Sequence, residues 1–330
     1  MKIAFFSTLP FEQTEFASCN SHHQITYIPQ SLTLQIVVLA QGYGAVCAFV
    51  NDDLSRPVLE ALNAMGVGVV GMRCVGLDNV DQVAMHDLGM TLLHVPGYSP
   101  YSVAEQGVAL LLGLVRHLPT AHRRVQAGNF SIDGLMGFDL HGKTVGVVGT
   151  GHIGKAFTRI MQGFGCKLLA YDIRPDRKLL EDGVRYVSLS ELLQQADVVS
   201  LHCPLTPLTD YLINEQSLSL MKPSAILINT GRGRLVDTAA VLNALDRGQL
   251  AGYSADVYER ERTYFHYDFS EWGVADDLLN RLRRHPKALL TAHQGFLTQE
   301  ALRQIARGLV NQFTFYDNQQ TVLVTKASMC

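Results

Sequence analysis

The 330-residue chain is poor in several features that would each point to a class of protein. Its six cysteines, Cys19, Cys47, Cys74, Cys166, Cys203 and Cys330, never fall into a Cys-x-x-Cys pair. That argues against a dithiol redox motif. Scattered thiols in apolar runs fit free cysteines in a reducing, cytoplasmic compartment. No His, Cys and carboxylate residues share metal-ligand spacing, so no metal is expected. Charged residues are only 17% of the chain, the net charge is −3 and there is no Lys/Arg run. Nothing here would neutralise a nucleic-acid backbone. Long apolar runs are also missing: "VALLLGLV" falls far short of the about 20 residues that span a bilayer. The opening "MKIAFFSTLP" has too short an apolar run for a signal peptide and reads as a first strand. No internal repeat or low-complexity stretch is present.

What is present is 47% apolar residues, in a length that suggests two domains of roughly 100–200 residues each. "KIAFF", "QITYI", "AVCAF", "GVGVVGM" and "TLLHV" read as strands, with helices at "SRPVLEALNAMG" and "NVDQVAMHDLG". In the first helix Ser55 is the expected cap, Pro57 lies near the first turn and Gly66 terminates. Strand–helix alternation implies a parallel sheet. In "PGYSPYSVAEQGVALLLGLVRHL", Ser102 and Glu105 have capping-box spacing before a helical apolar pattern. A second series follows, with strands in "KTVGVVG", "KLLAYD", "DVVSLHC", "SAILINT", "LAGYSADV" and "ALLTAH", then an amphipathic helix from Gln299 to about Tyr316. The expected architecture is α/β, with two doubly wound parallel-sheet (Rossmann-like) domains and a cleft between them. One domain takes residues 1–100 and 298–330, the other 101–297.

"VGVVGTGHIGKAF" contains Gly149-x-Gly151-x-x-Gly154 between a strand and a helix, with Asp172 ending the next strand. That context is the dinucleotide fingerprint: a tight turn at Gly149, close phosphate approach at Gly151, and close packing at Gly154. The helix N-terminus offers unpaired N–H groups to the pyrophosphate. Asp172 would accept the adenine ribose hydroxyls and repel a 2′-phosphate, which favours NAD over NADP.

Three further features stand at strand ends of the same domain, where ligands bind in such sheets. "NTGRG" sets Arg232 between two glycines, as expected where ligand passes close to the backbone. "ADVYERE" supplies Asp256, Glu259 and Glu261, and "TAHQGF" supplies His293. Reduction of a 2-oxo acid needs an anchor for the carboxylate, which a guanidinium provides with paired N–H bonds. It also needs a proton for the carbonyl oxygen, and histidine titrates near neutrality. A carboxylate on the other ring nitrogen would favour the imidazolium. Spacing does not choose between Glu259 and Glu261 for that task.

Together these motifs, with "FVNDDLSRPVLEAL", "RCVGLDNVD", "VPGYSPYSVAE", "LHCPLTPLTDYLIN" and "AHQGFLT", resemble the D-isomer-specific 2-hydroxyacid dehydrogenases essentially end to end. The resemblance implies that Arg232 binds substrate, His293 is the acid/base and Glu261 its partner. It implies substrate contacts at the Val75 and Gly76 backbone, with Tyr101 and Phe296 closing over a small 2-substituent. It makes the first domain the substrate-binding one and the second the NAD-binding one. The cofactor shell would include Gly149, Gly151, His152, Ile153, Gly154, Asp172, Cys203, Pro204, Thr209, Asn229, Thr230, Arg232 and Asp256, with His202 at its edge. The implied activity is NADH-dependent reduction of pyruvate to D-lactate by a homodimer or homotetramer. Two alternatives stay open: a larger 2-oxo acid as substrate, or a non-enzymatic NAD-sensing interaction protein.

Overall fold

A computed structural model describes residues 1–327, so Cys330 lies outside the described residues. The chain divides into two compact units, Met1–Ser99 with Leu297–Cys330, and Pro100–Phe296. Both are α/β units built on a parallel sheet.

The first unit runs β1 (Lys2–Phe5), α1 (Pro10–Cys19), β2 (Gln24–Tyr27), β3 (Ala45–Ala48), α2 (Arg56–Ala64), β4 (Val69–Met72), α3 (Gln82–Asp87) and β5 (Thr91–His94). Its strands lie in the order β2-β1-β3-β4-β5, every pair parallel. Strands β3 and β4 are buried at every position, which explains their unbroken apolar runs. Helix α1 has no counterpart among the elements expected from the sequence. It buries only Glu12 and Phe16, so its apolar pattern is weak. Ser55 does stand at the N-cap of α2, but its side chain makes no cap hydrogen bond. The C-terminal helix runs Gln299–Ala327, well past Tyr316, because neither glycine nor proline interrupts it beyond Gly308.

A buried ionic knot ties the carboxyl ends of this sheet together. Arg73, just after β4, is 1% exposed. Its Nε donates to Glu12 Oε1 at 2.7 Å and its Nη2 to the Ser7 carbonyl at 2.7 Å. The guanidinium also lies 4.9 Å from the Phe5 ring and 4.7 Å from the Phe49 ring. Beside it the Asp52 carboxylate accepts from Ser7 Oγ (2.6 Å), Leu32 N (2.7 Å) and Phe49 N (2.6 Å). The loops after β1, β3 and β4 are thereby held as one piece immediately before Val75 and Gly76. Breaking such a pair strands an uncompensated buried charge, so Glu12→Gln is expected to destabilise the fold by about 3 kcal/mol. A urea unfolding curve checks this: the midpoint should fall with the slope unchanged.

The second unit begins with α4 (Pro100–Val115) and α5 (Leu118–Gln126). It continues β6 (Thr144–Val148), α6 (His152–Gly163), β7 (Lys167–Tyr171), α7 (Arg177–Glu181), β8 (Arg185–Tyr186), α8 (Leu189–Gln195), β9 (Val198–Leu201), α9 (Glu215–Leu220), β10 (Ile226–Asn229), α10 (Thr238–Asp246), β11 (Gly252–Ala255), α11 (Asp277–Arg284) and β12 (Ala288–Leu290). The strand order is β12-β11-β10-β9-β6-β7-β8, all parallel. The chain thus enters at β6, steps outward to β8, then returns to β9 on the other flank of β6. The carboxyl ends of β6 and β9 form the switch point at which such sheets bind ligands. Because α4 already starts at Pro100, Ser102 is not a cap; proline takes the first turn. The Ser102 hydroxyl donates instead to the Gly295 carbonyl at 2.6 Å, tying the start of α4 to the loop after β12.

Candidate active site

The turn from β6 into α6 occupies that switch point. Gly149 has φ +91°, which side-chain-bearing residues avoid. A Cβ on Gly149 would meet the backbone of His202 and Cys203 at the end of β9, and one on Gly154 would meet the Gly149 carbonyl. The protein itself therefore requires these two glycines. Gly151 is different: a Cβ there meets nothing within 4 Å. The space in front of it, at the exposed start of α6, suits a phosphate approaching the backbone. Two buried polar atoms near this turn, Thr230 Oγ1 and His202 Nδ1, have no hydrogen-bond partner. An NAD cofactor fits that combination of open helix end and unmatched polar atoms. His202 packs on Phe157, with centroids 4.9 Å apart, and burial pushes its pKa down to about 3, so it is neutral. Burial likewise pushes the Cys203 thiol up to about 11, so it is not a thiolate nucleophile at neutral pH.

Other residues of the expected cofactor shell brace its loops. Asn229 accepts from Gly231 N (3.0 Å) and donates to the Arg232 carbonyl (2.9 Å). Thr209 Oγ1 accepts from Thr206 N and donates to the Pro204 carbonyl, each at 2.7 Å. The Asp256 carboxylate, 1% exposed, accepts from Thr291 Oγ1 (2.5 Å), Gln294 N (3.0 Å) and Gly295 N (2.7 Å). His152 and Ile153 open α6.

The same Asp256 shapes the loop that carries His293. The His293 N–H donates to the Asp256 carbonyl at 2.6 Å, and His293 adopts φ +52°, a left-handed conformation costly for a non-glycine residue. That backbone bond and the turn it closes bring the imidazole back over the end of β11. His293 Nδ1–H then donates to Glu261 Oε1 at 2.6 Å, and Glu261 Oε2 accepts from Tyr258 N at 2.8 Å. Both side chains are mostly buried. Burial alone pulls the imidazolium pKa down. The charge and hydrogen bond of Glu261 outweigh that, with help from Asp256 and against Arg232, and hold His293 above its ordinary value. Glu261 is the mirror case: burial pushes it up, but His293 and the Tyr258 N–H bring it below the ordinary carboxylate range. Glu259 turns away to Thr238, and burial raises its pKa. Geometry thus separates two glutamates that spacing does not.

Arg232 extends from the end of β10, its Nη1 donating to the Gly231 carbonyl at 2.9 Å, close enough to Glu261 and His293 to influence both charges. One expectation about its flanking glycines needs correcting. A Cβ on Gly233 would overlap the Tyr258–Glu259 peptide, so that glycine admits a protein backbone and not a ligand. A residue that no sequence motif singles out also belongs here. His266, at φ +71°, hydrogen-bonds the His293 carbonyl through Nε2 at 3.2 Å, and its ring stands 6.3 Å from those of His293 and Phe296. Phe296 is buried and Tyr101 half exposed, both in the second unit; Val75, exposed, and Gly76 belong to the first. Among the described residues no cluster fit to hold a metal occurs, and no helix is long and apolar enough to cross a membrane.

Comparison with known proteins gives this geometry a context. Residues 108–295 match the family model of the D-isomer specific 2-hydroxyacid dehydrogenase, NAD binding domain. The chain is 48% identical to 2-hydroxyacid dehydrogenase A of Aspergillus oryzae, over 93% of this chain and 89% of that one. It is 41% identical to D-lactate dehydrogenase of Escherichia coli, over 97% and 98% respectively. The apo structure of the Escherichia coli D-lactate dehydrogenase superposes with a TM-score of 0.88 at 40% identity, covering 97% of this chain and 98% of that one.

Proposed function

This chain belongs to the D-isomer specific 2-hydroxyacid dehydrogenases, NAD-dependent enzymes, and on that premise we propose that it reduces pyruvate to D-lactate. The observation that carries the reading is the His293–Glu261 pair set beside Arg232. Arg232 takes the substrate carboxylate in a planar, charge-assisted fork and draws electron density from the neighbouring carbonyl. Reduced nicotinamide supplies the hydride when bound. His293, protonated on both nitrogens, gives its Nε2 proton to the carbonyl oxygen as the alcohol forms. Glu261 stabilises the imidazolium beforehand and fixes which nitrogen faces the substrate. In the reverse direction the neutral imidazole takes the hydroxyl proton back. Asp172 receives the adenine ribose hydroxyls, and Tyr101 and Phe296 bound the space for the substrate's methyl group. The enzyme acts in the cytoplasm as a homo-oligomer.

NADH oxidation with a panel of 2-oxo acids, followed by chiral analysis of the product, tests the assignment. Pyruvate should show the highest kcat/KM and yield the D-isomer. A large preference for branched or aromatic 2-oxo acids would remove the lactate assignment while keeping the chemistry. NADH binding without turnover of any 2-oxo acid would remove the chemistry as well.

A further inference from the structure

We propose that Tyr186 and Thr150 are positioning residues for Asp172, and that the preference for NAD over NADP depends on the hydrogen-bond chain they form. The inference rests on the reading above that Asp172 receives the adenine ribose.

The chain starts at a backbone N–H. Asp176 N donates to Tyr186 Oη at 3.0 Å. Tyr186 Oη donates onward to Thr150 Oγ1 at 2.9 Å, and Thr150 Oγ1 donates to Asp172 Oδ2 at 3.0 Å. The Thr150 N–H reaches the same carboxylate oxygen at 2.6 Å, and Arg174 N donates to the other at 2.8 Å. A backbone N–H has no choice of direction: it can only donate. Each hydroxyl after it passes its single hydrogen on, so the series ends on an atom that must accept. Asp172 is thereby held as an acceptor in one orientation. An anion in that place takes ribose O–H donors and repels a 2′-phosphate.

Further contacts hold the frame around the chain. Thr150 is 3% exposed and sits between Gly149 and Gly151, in the turn that receives the phosphates. Asp176 caps α7 through Leu179 N and pairs with Lys155 of α6 at 2.5 Å. The ribose-facing loop is thus fastened to the phosphate-facing turn by Thr150 and to its helix by Lys155. Thr150 occupies an unspecified position of the glycine fingerprint, and Tyr186 lies on a strand of two residues, so neither stands out in the sequence.

Dissociation constants for NADH and NADPH, taken from fluorescence titrations of the wild type and of Tyr186→Phe, Thr150→Val and Asp172→Asn, test the proposal. Tyr186→Phe should weaken NADH binding about two- to tenfold, the effect of one lost hydrogen bond between neutral groups. NADPH binding should change little, so discrimination falls. At saturating NADH, kcat and the KM for pyruvate should stay within about twofold of wild type. Thr150→Val should behave likewise, and the double variant should be no worse than Thr150→Val alone, because both act through one chain. If Asp172→Asn loses discrimination while Tyr186→Phe and Thr150→Val keep it, the relay is wrong and the role of Asp172 stands. If Asp172→Asn keeps full discrimination, the reading of Asp172 falls, and the relay with it. Equal weakening of NADH and NADPH by Tyr186→Phe would make the tyrosine a general support of the sheet edge and overturn the selectivity claim.

Discussion

Replacing Arg232 with glutamine is expected to lower kcat/KM for pyruvate about 10³-fold, since truncating one partner of a desolvated charge pair costs about 2–5 kcal/mol. Glutamine keeps a donor of similar reach but neither the charge nor the fork. Lysine restores the charge without the paired geometry and should recover only part of the loss. Arg232 also depresses the His293 pKa by its own charge. Steady-state pH profiles of Arg232→Gln should therefore show the alkaline limb of pyruvate reduction moving upward even as the rate falls. Turnover of the glutamine variant near the wild-type level would dismiss Arg232 as the anchor.

The second large effect concerns the proton. His293→Gln should reduce kcat about 10²- to 10⁴-fold, the usual contribution of a positioned general acid. Glu261→Gln tests the same machinery more finely. In the proposed mechanism reduction uses protonated His293, and its pKa is raised, so activity should persist above the ordinary histidine range and decline as pH rises through the elevated value. With the carboxylate neutralised, burial acts almost alone and the alkaline limb should move to lower pH. Oxidation of D-lactate needs the neutral ring, so its acid limb should move the same way. Glu259→Gln should leave both limbs in place, because Glu259 lies against Thr238. A shift with Glu259→Gln and none with Glu261→Gln would reverse the assignment.

The parts of the fold that can be read directly from the chain are those governed by simple patterns. Strands such as Val198–Leu201 and Ile226–Asn229 are buried at every position, so they stand out as short apolar runs. The glycine fingerprint is legible because Gly149 and Gly154 answer steric demands of neighbouring backbone, while Gly151 leaves the space before α6 open. Other features depend on contacts that spacing does not encode. Glu259 and Glu261 are equivalent as letters; they are separated by the turn that presents Glu261 to the Tyr258 N–H. His266 is invisible because its place beside His293 comes from a left-handed backbone at a non-glycine residue. Ser102 has the spacing of a cap, yet Pro100 starts the helix earlier and frees the hydroxyl for Gly295. Helix α1 hides because one of its two buried positions is a glutamate, Glu12, held by its pairing with Arg73.

The close approach of Gly233 to the Tyr258–Glu259 peptide has a consequence for re-engineering. Any bulk at position 233 pushes on the segment from which Tyr258 N steadies Glu261, so a change beside Arg232 is transmitted to the Glu261–His293 pair. The two ends behave as one mechanical part. A library meant to broaden the range of accepted acids should hold 231–233 and 256–261 constant and vary first the half-exposed Tyr101.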